Sequence, residues 1–181
     1  MPKEPAAHLV MEQADDNRYL LKFVLVSSLS FFIGTIHGVL QMIPFIRTWL
    51  DSIGSPYGGP GHMIDPLAHA HINLIGGVMI LSMAVTYYLL PKLSNTPIYS
   101  RRLAEHSFWW TTIGALCFYL VLMIFGVIEG VLLLDKKSME LDQVHQVYRS
   151  VVAVSASIMG IGLWIYLTNI MLTIKNIYKR S

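Results

Sequence analysis

Two histidines separated by one residue open the stretch "DPLAHAHINLIGGVMILSMAVTYYLLPKL", Asp65 to Leu93, whose remainder is apolar and long enough to cross a bilayer. An imidazole placed there can bind a metal, move a proton or hydrogen-bond a neighbour, and without a partner it is costly in hydrocarbon. Residues two apart on an α-helix are rotated by about 200°, so His69 and His71 face nearly opposite ways and cannot chelate one metal together. On a strand they would share a face. On a helix the spacing suits one rod standing between two cofactors, each taking one imidazole. A third candidate, His37, lies in "FFIGTIHGVLQMIP" with Gly34 three residues before it and Gly38 after it. Glycines there leave room for something flat and bulky. The plain alternative is a histidine hydrogen-bonded to another helix, with the glycines serving close packing.

Three histidines on two neighbouring segments, all toward one face of the membrane, favour a cofactor. Zinc wants three or four convergent ligands, and these segments offer no carboxylate or thiol beside the imidazoles. Haem iron needs one or two axial imidazoles and an apolar slot, for which Phe31, Phe32, Tyr87, Phe118 and Trp164 are the candidate wall. Taken singly, each of these aromatics is more often core filler than haem wall. The expected iron ligands are therefore His71, His37 and His69, with His71 and His37 sharing one iron. Depth strains that pairing: His37 lies roughly 13 Å below its helix end and His71 about 6 Å below the start of its own. Starting the second helix at Met63 closes most of the gap.

The elements that must carry these residues are four apolar runs, Phe23 to Ile46, Leu67 to Leu90, Phe108 to Leu134 and Val151 to Ile174, in which Glu129 is the single formal charge. With 54% hydrophobic and 13% charged residues in 181, the chain reads as an all-α integral membrane four-helix bundle, residues 19–181, preceded by a polar segment over residues 1–18. That segment lacks a signal-peptide pattern, so the first span is expected to be retained. Nine basic residues, among them Lys22, Lys92, Arg101 and Lys175, lie on one side against Arg47, Lys136, Lys137 and Arg149 on the other, which predicts cytoplasmic termini. The loop "RTWLDSIGSPYGGPGHMIDP" is expected to be irregular, with the second helix starting near Pro66. The third link predicts a short surface helix through Met139 and His145. No repeat relates the two halves, which gives an inverted-repeat transporter no support. Cys117 has no second thiol, excluding disulfide and thiolate-cluster readings. The net charge of +2 is dispersed, without the basic stripe that nucleic acid requires.

The run from His69 to Leu134, with "HAHINLIGGVMILSMAVTYYLLPKL" and "IYSRRLAEHSFWWTTIGALCFYLVLMIFGVIEGVLLL", resembles the catalytic subunit of C-type heme-copper oxidases and its relative, nitric oxide reductase. The final span, "VYRSVVAVSASIMGIGLWIYLTNIMLTIKN", is similar to that subunit's last helix. The four spans correspond to the family's last four. By position, the resemblance implies that His69 is the proximal ligand of a high-spin haem and His71 one of two ligands of a low-spin haem. It also implies a bacterial cytoplasmic (inner) membrane. The family's copper-binding helices and the helix with the second low-spin ligand have no counterpart here, so the expected cofactor is haem b, one or two, without copper. His37 stands where the family carries an acidic residue and is a candidate replacement ligand.

Arg149 and Arg47 are candidates for haem propionates, because guanidinium matches carboxylate geometry; interfacial anchoring is the dull reading. Glu129 is a candidate proton acceptor or haem-edge partner, or a snorkelling carboxylate. His62 and His145 are surface residues held as reserve ligands, and Trp49, Trp109 and Tyr178 fit interfacial belts. The preferred reading is a small b-type cytochrome without a complete oxidase or nitric oxide reductase site, set among membrane lipid. Its partners would be further copies of itself, a membrane redox complex or a periplasmic electron carrier. The alternatives are the C-terminal subunit of a split enzyme completed by a partner chain, and a haem-free membrane scaffold or transporter.

Overall fold

The computed structural model describes residues 17–180, and no strand occurs among them. The helices are α1 (Arg18–Gln41), α2 (Pro44–Ser52), α3 (Gly59–Ser94), α4 (Arg101–Leu134) and α5 (Ser138–Arg180). The four long ones contain 24, 36, 34 and 43 residues, each more than the roughly 20 that cross a hydrocarbon core. The chain is an all-α protein with four helices of membrane-spanning length and composition. Most of the polar segment expected over residues 1–18 lies outside the described residues.

Sequence boundaries run short because polar residues continue helices beyond their apolar centres. The fourth run extends back from Val151 to Ser138, absorbing the separate surface helix expected around His145. The Gly/Pro-rich loop contains α2, which starts where Pro44 takes the first helical position after an extended Ile43 (φ −65°, ψ 126°). Leu50 and Ile53 anchor this segment by packing on Ile64.

α3 carries the histidine pair and is irregular on both sides of it. Asp65 is extended (φ −130°, ψ 114°), because the ring of Pro66 disfavours helical geometry in the preceding residue. The helix thus begins at Gly59, breaks at Asp65 and resumes at Pro66, the expected start. Beyond His71 the ladder widens into π-helical turns over Ile72–Met79, and the Ile80 N–H reaches back to the Ile75 carbonyl. His69–His71 is one short α-helical segment between a break and a widening. Such widenings concentrate at functional sites.

α3 stands between α1 and α4, while α4 and α5 pair along their length. At the end nearest the chain termini, Phe23, Ile80, Met83, Tyr87, Phe108 and Tyr166 form the apolar core. A buried polar clasp completes it. Asn169 accepts from the Ser100 N–H (3.1 Å) and donates to the Ser100 carbonyl (2.9 Å), fixing the start of α4, whose first turn is capped by the Ser100 hydroxyl accepting from the Leu103 N–H. Lys22 of α1 pairs with Glu105 of α4 at the same end.

Close approach of α4 and α5 depends on glycine. A Cβ at Gly114 would sit 2.3 Å from the Met159 backbone nitrogen, and one at Gly162 would sit 2.4 Å from that of Thr111. Gly162→Val is therefore expected to cost about 2 kcal/mol or more through overpacking, read as a lower thermal unfolding midpoint in detergent. Gly160→Ala, where nothing lies within 4 Å, should leave that midpoint unchanged or raise it slightly.

Candidate cofactor site around the histidine pair

The opposite-face geometry of His69 and His71 is realised. His69 points to α1, where its ring packs on Gly38 so closely that a Cβ there would lie 3.0 Å from Cε1 and 3.2 Å from Nε2. His71 points to α4 and stacks on Phe118, ring centroids 4.6 Å apart. The Asn73 side-chain amide donates to the His69 carbonyl (2.9 Å), beside the widened ladder.

His37 is 5% exposed and meets His69, not His71, with ring centroids 5.5 Å apart. The pairing of His37 with His71 on one iron is thus not the one the bundle makes; the rotation between residues 69 and 71 turns His71 away from α1. Both nitrogens of His37 already have partners. Gln41 Nε2 donates to its Nε2 at 2.9 Å and also reaches the Ile64 carbonyl at 3.4 Å. That leaves the proton on Nδ1, which donates toward the Tyr119 hydroxyl at 3.5 Å. Sequence reasoning missed both partners: the i,i+4 spacing of His37 and Gln41 was the available signal for the first, whereas Tyr119 comes from another helix and carried none. A cavity of about 180 Å³ lies beside His37, lined by Ile33, Ile36, Leu40, Tyr119 and Met123.

His71 differs in its ring chemistry. Its Nδ1 lies 2.8 Å from the Leu67 carbonyl, and because a carbonyl only accepts, Nδ1 holds the proton. The Nε2 lone pair is left available, and this outer hydrogen bond fixes the tautomer and orientation of a ligating ring.

The two arginines differ in their surroundings. Arg47 gives Nη1 to Asp65 (2.6 Å) and Nη2 to Asp51 (2.7 Å) and Ser55 (2.7 Å), so it clamps the break before the histidines instead of reaching toward a cofactor. The hydrogen bonds to Asp65 and then Asp51 raise the guanidinium above its ordinary value, and it stays charged. Arg149 is exposed on α5. Of the expected aromatic wall only Phe118 lies at His71: Phe32 and Trp164 are 65% and 69% exposed, Tyr87 belongs to the core near the termini, and Phe31 lies against Gly77. Of the reserve residues, His62 Nδ1 donates to the Pro56 carbonyl (2.5 Å) and His145 pairs with buried Glu129. Among the described residues no three His, Cys, Asp or Glu side chains converge.

The family model for cytochrome c and quinol oxidase polypeptide I matches residues 7–158. The chain belongs to this family. Its relatives include a cytochrome c oxidase subunit 1 of Rhodobacter capsulatus, 28% identical over 51% of this chain and 20% of that protein. They also include a cbb3-type cytochrome c oxidase subunit CcoN1 of Stutzerimonas stutzeri, 24% identical over 62% of this chain and 22% of that protein. The chain spans about a fifth of the length of these relatives.

Members of the oxidase family bind haem, and the residues here answer that requirement unequally. His71 fits an axial position, with its proton held at Leu67 and its second nitrogen available. His37, engaged at both nitrogens, does not fit without releasing Gln41 or Tyr119. The neighbouring cavity is also smaller than the roughly 300–1,000 Å³ of ordinary small-molecule pockets. The α4 flank of α3 offers a ligand, and the α1 flank is closed on itself.

Removal of the Arg47 clamp should loosen the segment preceding the histidines. Arg47→Leu is expected to cost about 1–3 kcal/mol, because the carboxylate of Asp65 loses charged hydrogen bonds. Arg47→Lys, which keeps the charge without the fork, should recover only part of the lost unfolding midpoint.

Proposed function

We propose that the chain is a membrane haem-binding electron carrier of the oxidase family, with His71 as its axial ligand. The observation that supports this most directly is the ring state of His71: Nδ1–H is tied to the Leu67 carbonyl and Nε2 is left as a ligand on the side of Phe118. Bound haem would supply a reversible one-electron couple. His71 would hold the group through Nε2, Leu67 would fix the ring and raise its basicity, and Phe118 would bound the slot from α4. On this reading haem b is the cofactor, the bacterial cytoplasmic membrane is the setting, and the termini face the cytoplasm. His69 serves as a second ligand only where α1 moves aside.

A second reading is favoured by one observation: among the described residues the imidazoles of His37, His62 and His145 already have hydrogen-bond partners. A partner chain, or a second copy, would then supply the ligand facing His71. The test is optical spectroscopy with pyridine haemochrome quantitation on the purified chain. His71→Ala is expected to lower bound haem at least tenfold, while His37→Ala leaves the stoichiometry intact. Full haem retention in His71→Ala overturns the assignment, and haem binding that requires a co-expressed partner selects the second reading.

A further inference from the structure

The two halves carry no long repeat, yet one seven-residue pattern occurs twice near the same end of the bundle. α1 has Gly34-Thr35-Ile36-His37-Gly38-Val39-Leu40, and α4 has Gly126-Val127-Ile128-Glu129-Gly130-Val131-Leu132. In each, the titratable residue between the glycines is buried, 5% exposed at His37 and 2% at Glu129. Each also meets an imidazole from the next long helix: His69 in the first case, His145 in the second. The first position belongs to the cofactor region. The second is unused by the function proposed above.

Glu129 is under-supplied with donors. His145 Nδ1 lies 3.2 Å from Oε1 and 3.1 Å from Oε2, so one N–H is shared between both oxygens, and no other hydrogen bond to this side chain occurs among the described residues. An ionised carboxylate accepts about four hydrogen bonds and is costly where it is dry, whereas its protonated form asks for less. The groups packed around the two flanking glycines are apolar or uncharged, apart from His145 itself. Trp49 of α2 and Ile53 just after it lie around Gly130, Pro60 and Ile64 of α3 lie around Gly126, and α5 contributes His145 and Tyr148. Of the cations at this end, Arg47 pairs with Asp65 and Asp51 and Lys137 with Asp135, while Lys136 and Arg149 are exposed to solvent.

The imidazole also connects the carboxylate to water. The side chain of His145 is 36% exposed, beneath the exposed connection that holds Asp135, Lys136 and Lys137. We infer that Glu129 and His145 form a proton-binding site that exchanges with the aqueous phase at the end of the bundle opposite the termini. His145 Nε2 accepts a proton from water while the Nδ1 proton passes to a Glu129 oxygen. The imidazole ends neutral in its other tautomer, the carboxylate becomes a carboxylic acid, and one proton has been taken up. Tyr148, with its ring 5.5 Å from that of His145, positions the imidazole.

The site stands independently of the haem reading and is tested without haem. Infrared difference spectra of the whole chain in lipid nanodiscs, recorded between about pH 5 and 9, should contain a carboxylic acid C=O band that shifts in D2O and is lost in Glu129→Gln. His145→Phe removes the only donor to the ionised form, so the midpoint of that band should rise by about one unit or more; this arm keeps the test open if Glu129→Gln does not fold. A band that survives Glu129→Gln, a midpoint unmoved in His145→Phe, or no titrating carboxyl signal in that range overturns the proposal.

Discussion

A polar side chain inside a membrane is costly without a partner within the protein, and in this bundle that constraint shapes the region of the histidine pair. α3 satisfies it for two imidazoles by sending one to each neighbouring helix. His69 is absorbed by α1, against the bare backbone of Gly38 and the ring of His37. His71 is held by the Leu67 carbonyl of its own helix and by Phe118. The break at Asp65 and the widened turns after His71 bracket this arrangement, and Arg47 holds the break in place from outside the spans.

The same rule explains which expectations survive at the level of side chains. Four spans were legible because their apolar runs exceed the bilayer thickness, and the opposed directions of His69 and His71 were legible because they follow from 3.6 residues per turn. The partners of His37 were not. Choosing between His69 and His71 needs the rotation of α1 against α3, which depends on where Asp65 breaks the helix, and no local pattern carries that rotation. For Arg47 the sequence left a propionate partner and an interfacial anchor both open, and its ion pair with Asp65 spans a helix break that no local pattern displays.

The distribution of buried polarity divides the molecule into two ends. Near the termini, hydroxyl and amide groups close on one another through Tyr87, Ser107 and Asn169, a set of neutral hydrogen bonds that locks α3, α4 and α5. At the opposite end titratable groups join the buried set: His37 and Glu129 are buried beside neutral Gln41 and meet the half-buried imidazoles of His69 and His145. Neutral groups can be satisfied permanently, while titratable ones respond to protons, metals and charge. Structural closure and chemical responsiveness are thus separated along the helix axes.

The helices also differ in length in a way that the bilayer must accommodate. At 1.5 Å per residue α1 measures about 36 Å and α5 about 64 Å, against a hydrocarbon core of about 30 Å. Lipids that match α1 leave much of α5 standing clear of the acyl chains, and α4, its companion in the hairpin, shares part of that height. Over the described residues α1 is thus the shortest rod and α5 the tallest, so that the excess of α5 stands as a ridge that a macromolecule approaching along the surface meets first.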